Sequence, residues 1–269
     1  MLPDLEIRAL FCYSPEVLSY TYYNFQHLQE DNQEICFFTQ DILRKNIRNY
    51  NVTVKLVNTI KVDNLQQQYS ITYPCLTHTQ IDDLALCTLQ QSMQNNDPSK
   101  FGVLPTHLLR LKNANSATVL VLQVVLCDMT GANLVTGISA TIGINSARES
   151  IICLGRTLFA TGVKNSYIDP TILAHELGHL MGCRHPYGAG TGFDNTNSNS
   201  HGHCLVDNNS GKVVLGTIMS YAKTITPYYS NPYVFAYPPP YQNIPCGVAG
   251  LSEACITVNN NIQKLAGIF

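Results

Sequence analysis

Residues 174–186 read AHELGHLMGCRHP, and they determine how the rest of the chain is interpreted. On an α-helix, side chains four residues apart lie on one face, about one turn from each other. His175 and His179 can therefore direct both imidazoles at a single ion. Glu176 projects beside the pair, where its carboxylate can reach a water on the ion without acting as a ligand. The spacing predicts a metal site with a base next to it.

His185 completes the pattern beyond the end of the helix. Glycine enters the left-handed conformation at little steric cost, so Gly182 is where the helix can stop and the chain can fold back to bring His185 to the ion. Three neutral imidazoles leave a fourth zinc position for water, whereas structural zinc sites usually have four protein ligands. Zinc lowers the pKa of that water, and a carboxylate can take its proton. This pattern predicts one catalytic zinc ion and hydrolysis of a carbonyl bond.

Two less specific interpretations compete with a zinc enzyme. A lone histidine on an apolar helix is usually a core residue with its hydrogen bonds satisfied, and the short H-E-x-x-H pattern occurs by chance. The full H-E-x-x-H-x-x-G-x-x-H pattern fixes five positions, so average composition produces it on the order of once in a hundred thousand chains of this length. A non-catalytic binding module that keeps zinc for stability would have the same ligands. Because every catalytic position is filled, the enzyme is favoured.

At these residues the chain resembles the metzincin metallopeptidases, whose signature the stretch HELGHLMGCRH matches at every fixed position. In that clan a methionine-containing turn lies beneath the zinc histidines, and TIMSY at 217–221 looks like that turn, with Met219 as its methionine. Tyr221 is similar to the tyrosine that astacins and serralysins place near the metal, where it ligates zinc or binds the oxyanion. The alternative for Tyr221 is a surface tyrosine, one of fifteen in the chain.

The branch of the clan is indicated by residues around the signature. Pro186 follows the third histidine as in serralysins, whereas LFCYSPE at 10–16, the apolar stretch 116–126 and YYSNPYVF at 228–235 resemble the secreted, reprolysin-like (adamalysin-like) peptidases of microbes. The resemblance implies a secreted zinc metalloendopeptidase made as a zymogen, acting as a monomer on protein substrates. A dedicated effector toxin with one host target is the alternative within proteolysis.

The resemblance also implies the fold, an α+β arrangement of the α/β/α-like zincin type. It has a mixed, mostly parallel five-stranded sheet with an antiparallel edge strand, a long active-site helix and a small irregular C-terminal lobe. We expect one catalytic domain over 1–269, with an N-terminal subdomain at 1–182 and a C-terminal subdomain at 183–269. A substrate would lie extended in the cleft and pair with an edge strand, for which 137–144 is the candidate and 149–155 the rival.

The pocket beyond the scissile bond is expected to be walled by residues between Tyr221 and Tyr233, including Ile225 and Pro227.

Hydrophobic periodicity predicts the remaining elements. Asp169 and Pro170 supply an N-cap and a first-turn proline for the helix that carries the histidines. The apolar stretch 116–126 belongs in the middle of a sheet covered on both faces. The other predicted elements are strands at 5–13 and 51–62, helices at 34–50 and 79–95, and a last helix that starts near Ser252.

Composition excludes several classes of function. Charged residues make up 13% of the chain and the net charge is −2, so there is no basic surface for nucleic acid. The longest apolar run, TVLVLQVVL, is too short and too β-branched to span a bilayer. Neither nucleic acid nor a membrane is expected as a partner.

Ten cysteines without a C-x-x-C pair favour disulfides in an oxidising compartment over a zinc ribbon or a redox site. Buried thiols are the alternative. We expect bridges from Cys183 to Cys204, which would tie down the third ligand, and from Cys246 to Cys255.

The polar stretch before Cys204 offers one further candidate site. HGH at 201–203, with Asp194 nearby, could bind a second zinc or a calcium ion. It lacks the ligand spacing of an EF-hand, so a solvated loop is favoured and calcium has no support.

Overall fold

The computed structural model describes the chain in segments. These are residues 2–18, 24–63, 65, 104–126, 137–157, 171–188, 193–206, 212–222, 224–235, 239, 241 and 243–267. The strands are β1 (Asp4–Tyr13), β2 (Asn51–Lys61), β3 (Val119–Leu126), β4 (Gly137–Ser139), β5 (Ile151–Thr157), β6 (Cys204–Val206), β7 (Val213–Gly216) and β8 (Thr224–Ile225). The helices are α1 (Phe25–Asn46), α2 (Leu104–Ala114), α3 (Ile172–Leu180) and α4 (Ala254–Ala266).

The five strands β1 to β5 form one sheet in the order β2-β1-β3-β5-β4. All neighbouring strands are parallel except β4, which runs antiparallel to β5 at the edge. This arrangement confirms the predicted mixed, mostly parallel sheet with an antiparallel edge strand. The apolar stretch that contains β3 lies at the centre of the sheet, as its unbroken hydrophobicity predicts.

The sheet is covered on both faces because its side chains alternate between two cores. On one face, Ile7 and Val121 belong to a core that α1, α3 and α4 close. On the other face, Leu10 and Leu122 pack in a second core with Leu108 of α2. The helix that carries the histidines is therefore packed against the sheet from the side of the larger core.

Two helices differ from the sequence prediction. The helix predicted at 34–50 begins at Phe25, because the Asn24 side chain accepts a hydrogen bond from the His27 backbone N–H and the His27 ring accepts one from Asn24 N–H. It ends at Asn46, with Ile47 as the C-cap. Helix α2 was not predicted. The helix predicted at 79–95 lies outside the described residues.

The edge strand is β4, which contains only the first three residues of the candidate segment 137–144. The rival segment 149–155 is wrong as an edge, because β5 lies between β3 and β4 and is hydrogen-bonded on both sides. Small side chains and a glycine mark the outer strand, as expected where another backbone approaches.

The C-terminal part contains more regular structure than the sequence suggested. Strands β6, β7 and β8 form a small three-stranded sheet, and α4 packs back onto β1 and α1. In the described part of the chain, no helix combines the length and apolarity that a bilayer crossing requires.

The two predicted disulfides are wrong. Cys183, Cys204 and Cys255 carry free thiols, and no disulfide joins any two of the seven cysteines that the structure describes. Cys183 is buried and its thiol donates to the Ala254 carbonyl oxygen over 3.7 Å, whereas Cys204 lies in β6. Cys255 belongs to the larger core and Cys246 to a separate small cluster. Proximity along the chain did not indicate which cysteines are neighbours in space.

Candidate active site

Helix α3 presents the first part of the site from a fully buried position. Every residue from 173 to 180 is buried, and Leu173, Leu177 and Leu180 face the larger core as predicted. The helix ends where Gly182 adopts φ +100°, with its N–H donating to the His179 carbonyl oxygen over 2.8 Å. That conformation turns the chain back towards the histidines. The predicted cap at Asp169 and Pro170 lies outside the described residues, and Thr171 stands at the N-cap position of the helix as described.

The three histidines of the signature converge on one point. One nitrogen from each of His175, His179 and His185 lies within 4.8 Å of the other two. The Nε2 atoms of His179 and His185 are 3.0 Å apart. A tetrahedral zinc ion with bonds of about 2.0–2.1 Å separates its nitrogen ligands by about 3.3 Å. The spacing of the three nitrogens therefore fits a single zinc ion.

Backbone carbonyls fix two of the three rings. His175 Nδ1 donates to the Ile218 carbonyl oxygen over 2.7 Å, and His179 Nδ1 donates to the Cys183 carbonyl oxygen over 2.9 Å. With Nδ1 protonated, Nε2 keeps its lone pair for the centre of the site. This is the tautomer that a metal ligand requires.

The protonation state of the three histidines also suits a metal ion. His175 Nε2 is buried and has no hydrogen-bond partner within the described residues. Burial, followed by the proximity of the other two histidines, lowers the pKa of His175 well below its usual value. Burial also lowers the pKa of His179, to about 4, and the pKa of His185. Near neutral pH the site therefore offers three uncharged imidazoles, and one has a buried lone pair that a cation would satisfy.

Glu176 lies beside the ligands and against the edge strand. Its side chain is buried, with 2% of the residue exposed. A Cβ built on Gly137 of β4 would lie 2.9 Å from Glu176 Oε1. Only a glycine leaves room for this carboxylate, so β4 passes directly by it.

Tyr221 lies next to the histidines, although it is half-exposed. Its ring centre is 4.6 Å from that of His185, and it stacks on His175 with ring centres 5.4 Å apart. Burial, followed by the negative charge of Glu176, raises the pKa of the Tyr221 phenol. The hydroxyl therefore remains a hydrogen-bond donor at the mouth of the site.

Met219 lies in a tight turn beneath α3. The Ser220 N–H donates to the Thr217 carbonyl oxygen over 2.9 Å, and Met219 is fully buried. A Cβ built on Gly178 would lie 2.3 Å from Met219 Sδ, so sulfur and helix backbone are in direct contact. The turn also supplies the Ile218 carbonyl that orients His175.

The expectation of a solvated loop at HGH (201–203) is wrong for its first residue, His201, which is buried. His201 is 0% exposed, and both of its ring nitrogens lie 2.7 Å from carbonyl oxygens. Asp194 is bound to Arg184 and Thr196. Within the described residues, the histidine triad is the one group of side chains able to hold a metal, and no second ion site forms here.

Tyr229 is a supporting residue that sequence reasoning missed. Its phenol is fully buried and donates to the Ala174 carbonyl oxygen over 2.6 Å, which fixes α3 from below. One tyrosine in an irregular, tyrosine-rich stretch gives no local signal for such a contact.

Comparisons with known proteins agree with this geometry. The Reprolysin_5 family model, described as metallo-peptidase family M12, matches residues 21–231. No curated protein matches the sequence. A solved structure titled "Structure of a chaperone-substrate complex" is similar with a TM-score of 0.60 and 18% identity, over 99% of this chain and 36% of that chain. The chain thus spans about a third of that protein's length, and at this identity the likeness concerns the fold alone.

Proposed function

This chain belongs to metallo-peptidase family M12, and on that premise we propose that it is a zinc-dependent endopeptidase that hydrolyses peptide bonds of protein substrates. One observation carries the proposal. It is the convergence of three uncharged imidazoles beside a buried carboxylate, at a site with no fourth protein ligand among the described residues.

His175, His179 and His185 would hold the metal ion. A zinc ion bound there supplies Lewis acidity for the scissile carbonyl and lowers the pKa of the attacking water. The carbonyls of Ile218 and Cys183 keep two of the rings oriented, so the ligands need little rearrangement when the ion enters.

Glu176 is the proposed general base and acid. In the proposed reaction its carboxylate takes a proton from the attacking water and then gives that proton to the leaving amine nitrogen. Its burial against β4 restricts the carboxylate to few positions, which favours proton transfer over a short distance.

Tyr221 is proposed to stabilise the developing oxyanion. Its phenol stays protonated because its pKa is raised, and it lies against two of the histidine rings. A donor in this position would bind the oxygen of the tetrahedral intermediate more tightly than the carbonyl oxygen of the substrate.

The substrate is proposed to pair as an extended strand with the outer edge of β4. This strand is bonded to β5 on one side, and it passes the Glu176 carboxylate at Gly137. A peptide aligned on that edge would place its scissile bond near the base. Main-chain pairing accepts many sequences, so selectivity is assigned to a pocket walled by Ile225 and Pro227.

Replacing Glu176 tests the function most simply. Glu176→Gln should retain zinc and lower the hydrolysis of an unfolded protein or peptide library by at least ~10²-fold, because the amide cannot take the proton. Glu34→Gln, at an exposed position on α1, is the matched control and should cleave like the wild type. Normal cleavage by Glu176→Gln would refute the mechanism. A wild-type protein that binds zinc and cleaves none of these substrates would instead be a zinc-stabilised binding module.

Secretion, synthesis as a zymogen and a monomeric state stay predictions from the resemblance. Export would agree with the family resemblance, while the free thiols of Cys183, Cys204 and Cys255 give it no support.

A further inference from the structure

The third histidine is held differently from the first two. His175 and His179 both lie in α3, and a hydrogen bond from Nδ1 to a backbone carbonyl fixes each ring. The ring of His185 has no such carbonyl partner within the described residues, and its residue lies beyond the end of α3. Its ring lies beside that of Tyr221, with ring centres 4.6 Å apart, and hydrogen bonds position its backbone.

A buried segment at 200–202 supplies those bonds. The Arg184 N–H donates to the Ser200 carbonyl oxygen over 3.0 Å, and the Gly202 N–H donates to the Arg184 carbonyl oxygen over 2.8 Å. His201 Nδ1 lies 2.7 Å from the His185 carbonyl oxygen, and His201 Nε2 lies 2.7 Å from the Thr196 carbonyl oxygen. One fully buried imidazole thus joins the backbone of the third ligand to the loop that returns beside it.

The position of His201 is fixed from the other side by the C-terminal part of the chain. Ser230 Oγ donates to the His201 carbonyl oxygen over 2.5 Å and accepts from the Ala254 N–H over 2.8 Å. Next to it, Gly202 is pressed against the methionine turn, where an added Cβ would lie 2.8 Å from Met219 Cβ. The segment has no space to shift away from the third ligand.

We propose that His201 is a positioning residue for the third metal ligand, acting through the main-chain carbonyl of His185. The inference rests on the proposed function, because it assigns the metal to the three histidines. His201 is not itself a ligand here, since both of its nitrogens face carbonyl oxygens. Its role is to keep the His185 ring within bonding distance of an ion held by the two helical histidines.

Metal affinity measures this role independently of catalysis. Removing a side chain that orients a ligand typically weakens metal binding about 10- to 100-fold. We therefore expect His201→Ala to raise the zinc dissociation constant by at least ~10-fold. His201→Gln keeps a donor that can reach one of the two carbonyls, so its zinc affinity should lie between those of the wild type and His201→Ala.

Asn32→Ala is the matched control. Asn32 is also fully buried, and its amide bonds to Thr59 and Gln123 in the sheet core, away from the histidines. Its loss also breaks buried hydrogen bonds, yet it should leave the zinc dissociation constant within about twofold of the wild-type value, because additive effects are the rule for distant sites.

The experiment titrates the metal-free full chain with zinc against a chromophoric chelator, and records the visible absorption of the cobalt(II) form. Support is weaker zinc binding and a changed cobalt spectrum in His201→Ala, partial recovery in His201→Gln, and neither change in Asn32→Ala. Equal affinity in His201→Ala and the wild type would overturn the inference, as would an equal loss in Asn32→Ala.

Two further outcomes are decisive. If His201→Ala does not fold, His201→Gln alone decides, and a zinc affinity within twofold of wild type overturns the inference. A wild-type chain that binds no zinc refutes both the inference and the proposed function. If the wild type binds zinc more tightly than His201→Ala but cleaves nothing, only the proposed function is refuted.

Discussion

A single methyl group at Gly178 tests the packing beneath the metal site. In an isolated helix, Gly→Ala stabilises by about 1 kcal/mol because alanine loses less backbone entropy. In this chain the added Cβ would lie 2.3 Å from Met219 Sδ and 2.8 Å from Tyr229 Cε1. Both distances are well inside the ordinary carbon contact of about 3.5–4.0 Å. The structure therefore reverses the sign that helix propensity alone predicts.

The magnitude follows from how little the neighbours can move. Met219 and Tyr229 are both 0% exposed, and the Tyr229 phenol is bound to the Ala174 carbonyl oxygen over 2.6 Å. Adding a methyl group to such a core typically costs about 1–3 kcal/mol. With two close contacts we take the upper end, about 3 kcal/mol, and subtract the propensity gain of about 1 kcal/mol. Gly178→Ala should lower the free energy of unfolding by about 2 kcal/mol.

Urea denaturation of the chelator-treated protein, followed by circular dichroism, measures this change, since the chain has no tryptophan for fluorescence. Met219→Ala provides the control background, because it removes the nearest clashing atom. There Gly178→Ala should cost at least about 1 kcal/mol less than in the wild type, as expected for residues in direct contact. If Gly178→Ala stabilises the wild type, or costs the same in both backgrounds, the contact with the methionine turn is wrong.

Three further predictions concern the site and its support. Gly137→Ala would place a methyl group 2.9 Å from Glu176 Oε1. It should therefore lower kcat, while the chain still binds one equivalent of zinc. An unchanged kcat would contradict the proposed position of the base. The pKa of His179 is lowered from 6.5 to about 4, mainly by burial, so the folded metal-free chain binds fewer protons than the unfolded chain between these values. Stability is therefore lost as the pH falls through that range, and His179 contributes about 2 kcal/mol of this loss between pH 7 and pH 5. A urea midpoint that is the same at both pH values would refute this prediction. Tyr229→Phe removes the bond to the Ala174 carbonyl and should cost about 1 kcal/mol in the same urea assay; no loss would show that the bond does not stabilise the chain.

Local patterns predicted the parts of the molecule that depend on local physics. The four-residue spacing of His175 and His179 sets them on one face of any helix, and the φ of Gly182 follows from the need to end that helix. The unbroken apolar run of β3 requires burial on both faces, and this places it at the centre of the sheet. The small side chains of β4 marked the edge.

Long-range contacts explain what the sequence did not reveal. The stretch before Cys204 is polar and glycine-rich, so it reads as solvated. His201 is nevertheless buried, and its two ring nitrogens lie 2.7 Å from the carbonyl oxygens of His185 and Thr196. Cysteine spacing likewise carries no distance information, and Cys183 packs against Ala254 instead of reaching Cys204. Helix α1 begins earlier than predicted because Asn24 and His27 cap it reciprocally. The first turn is polar, so hydrophobic periodicity could not reveal this start.

The central claim is that His175, His179 and His185 hold one zinc ion and leave part of its coordination sphere to solvent. Zinc K-edge X-ray absorption of the chain loaded with one equivalent of zinc tests this most directly. The account predicts three nitrogen donors at about 2.0–2.1 Å, completed by oxygen, with no sulfur. A sulfur donor at about 2.3 Å, or a fourth imidazole closing the site, would contradict it.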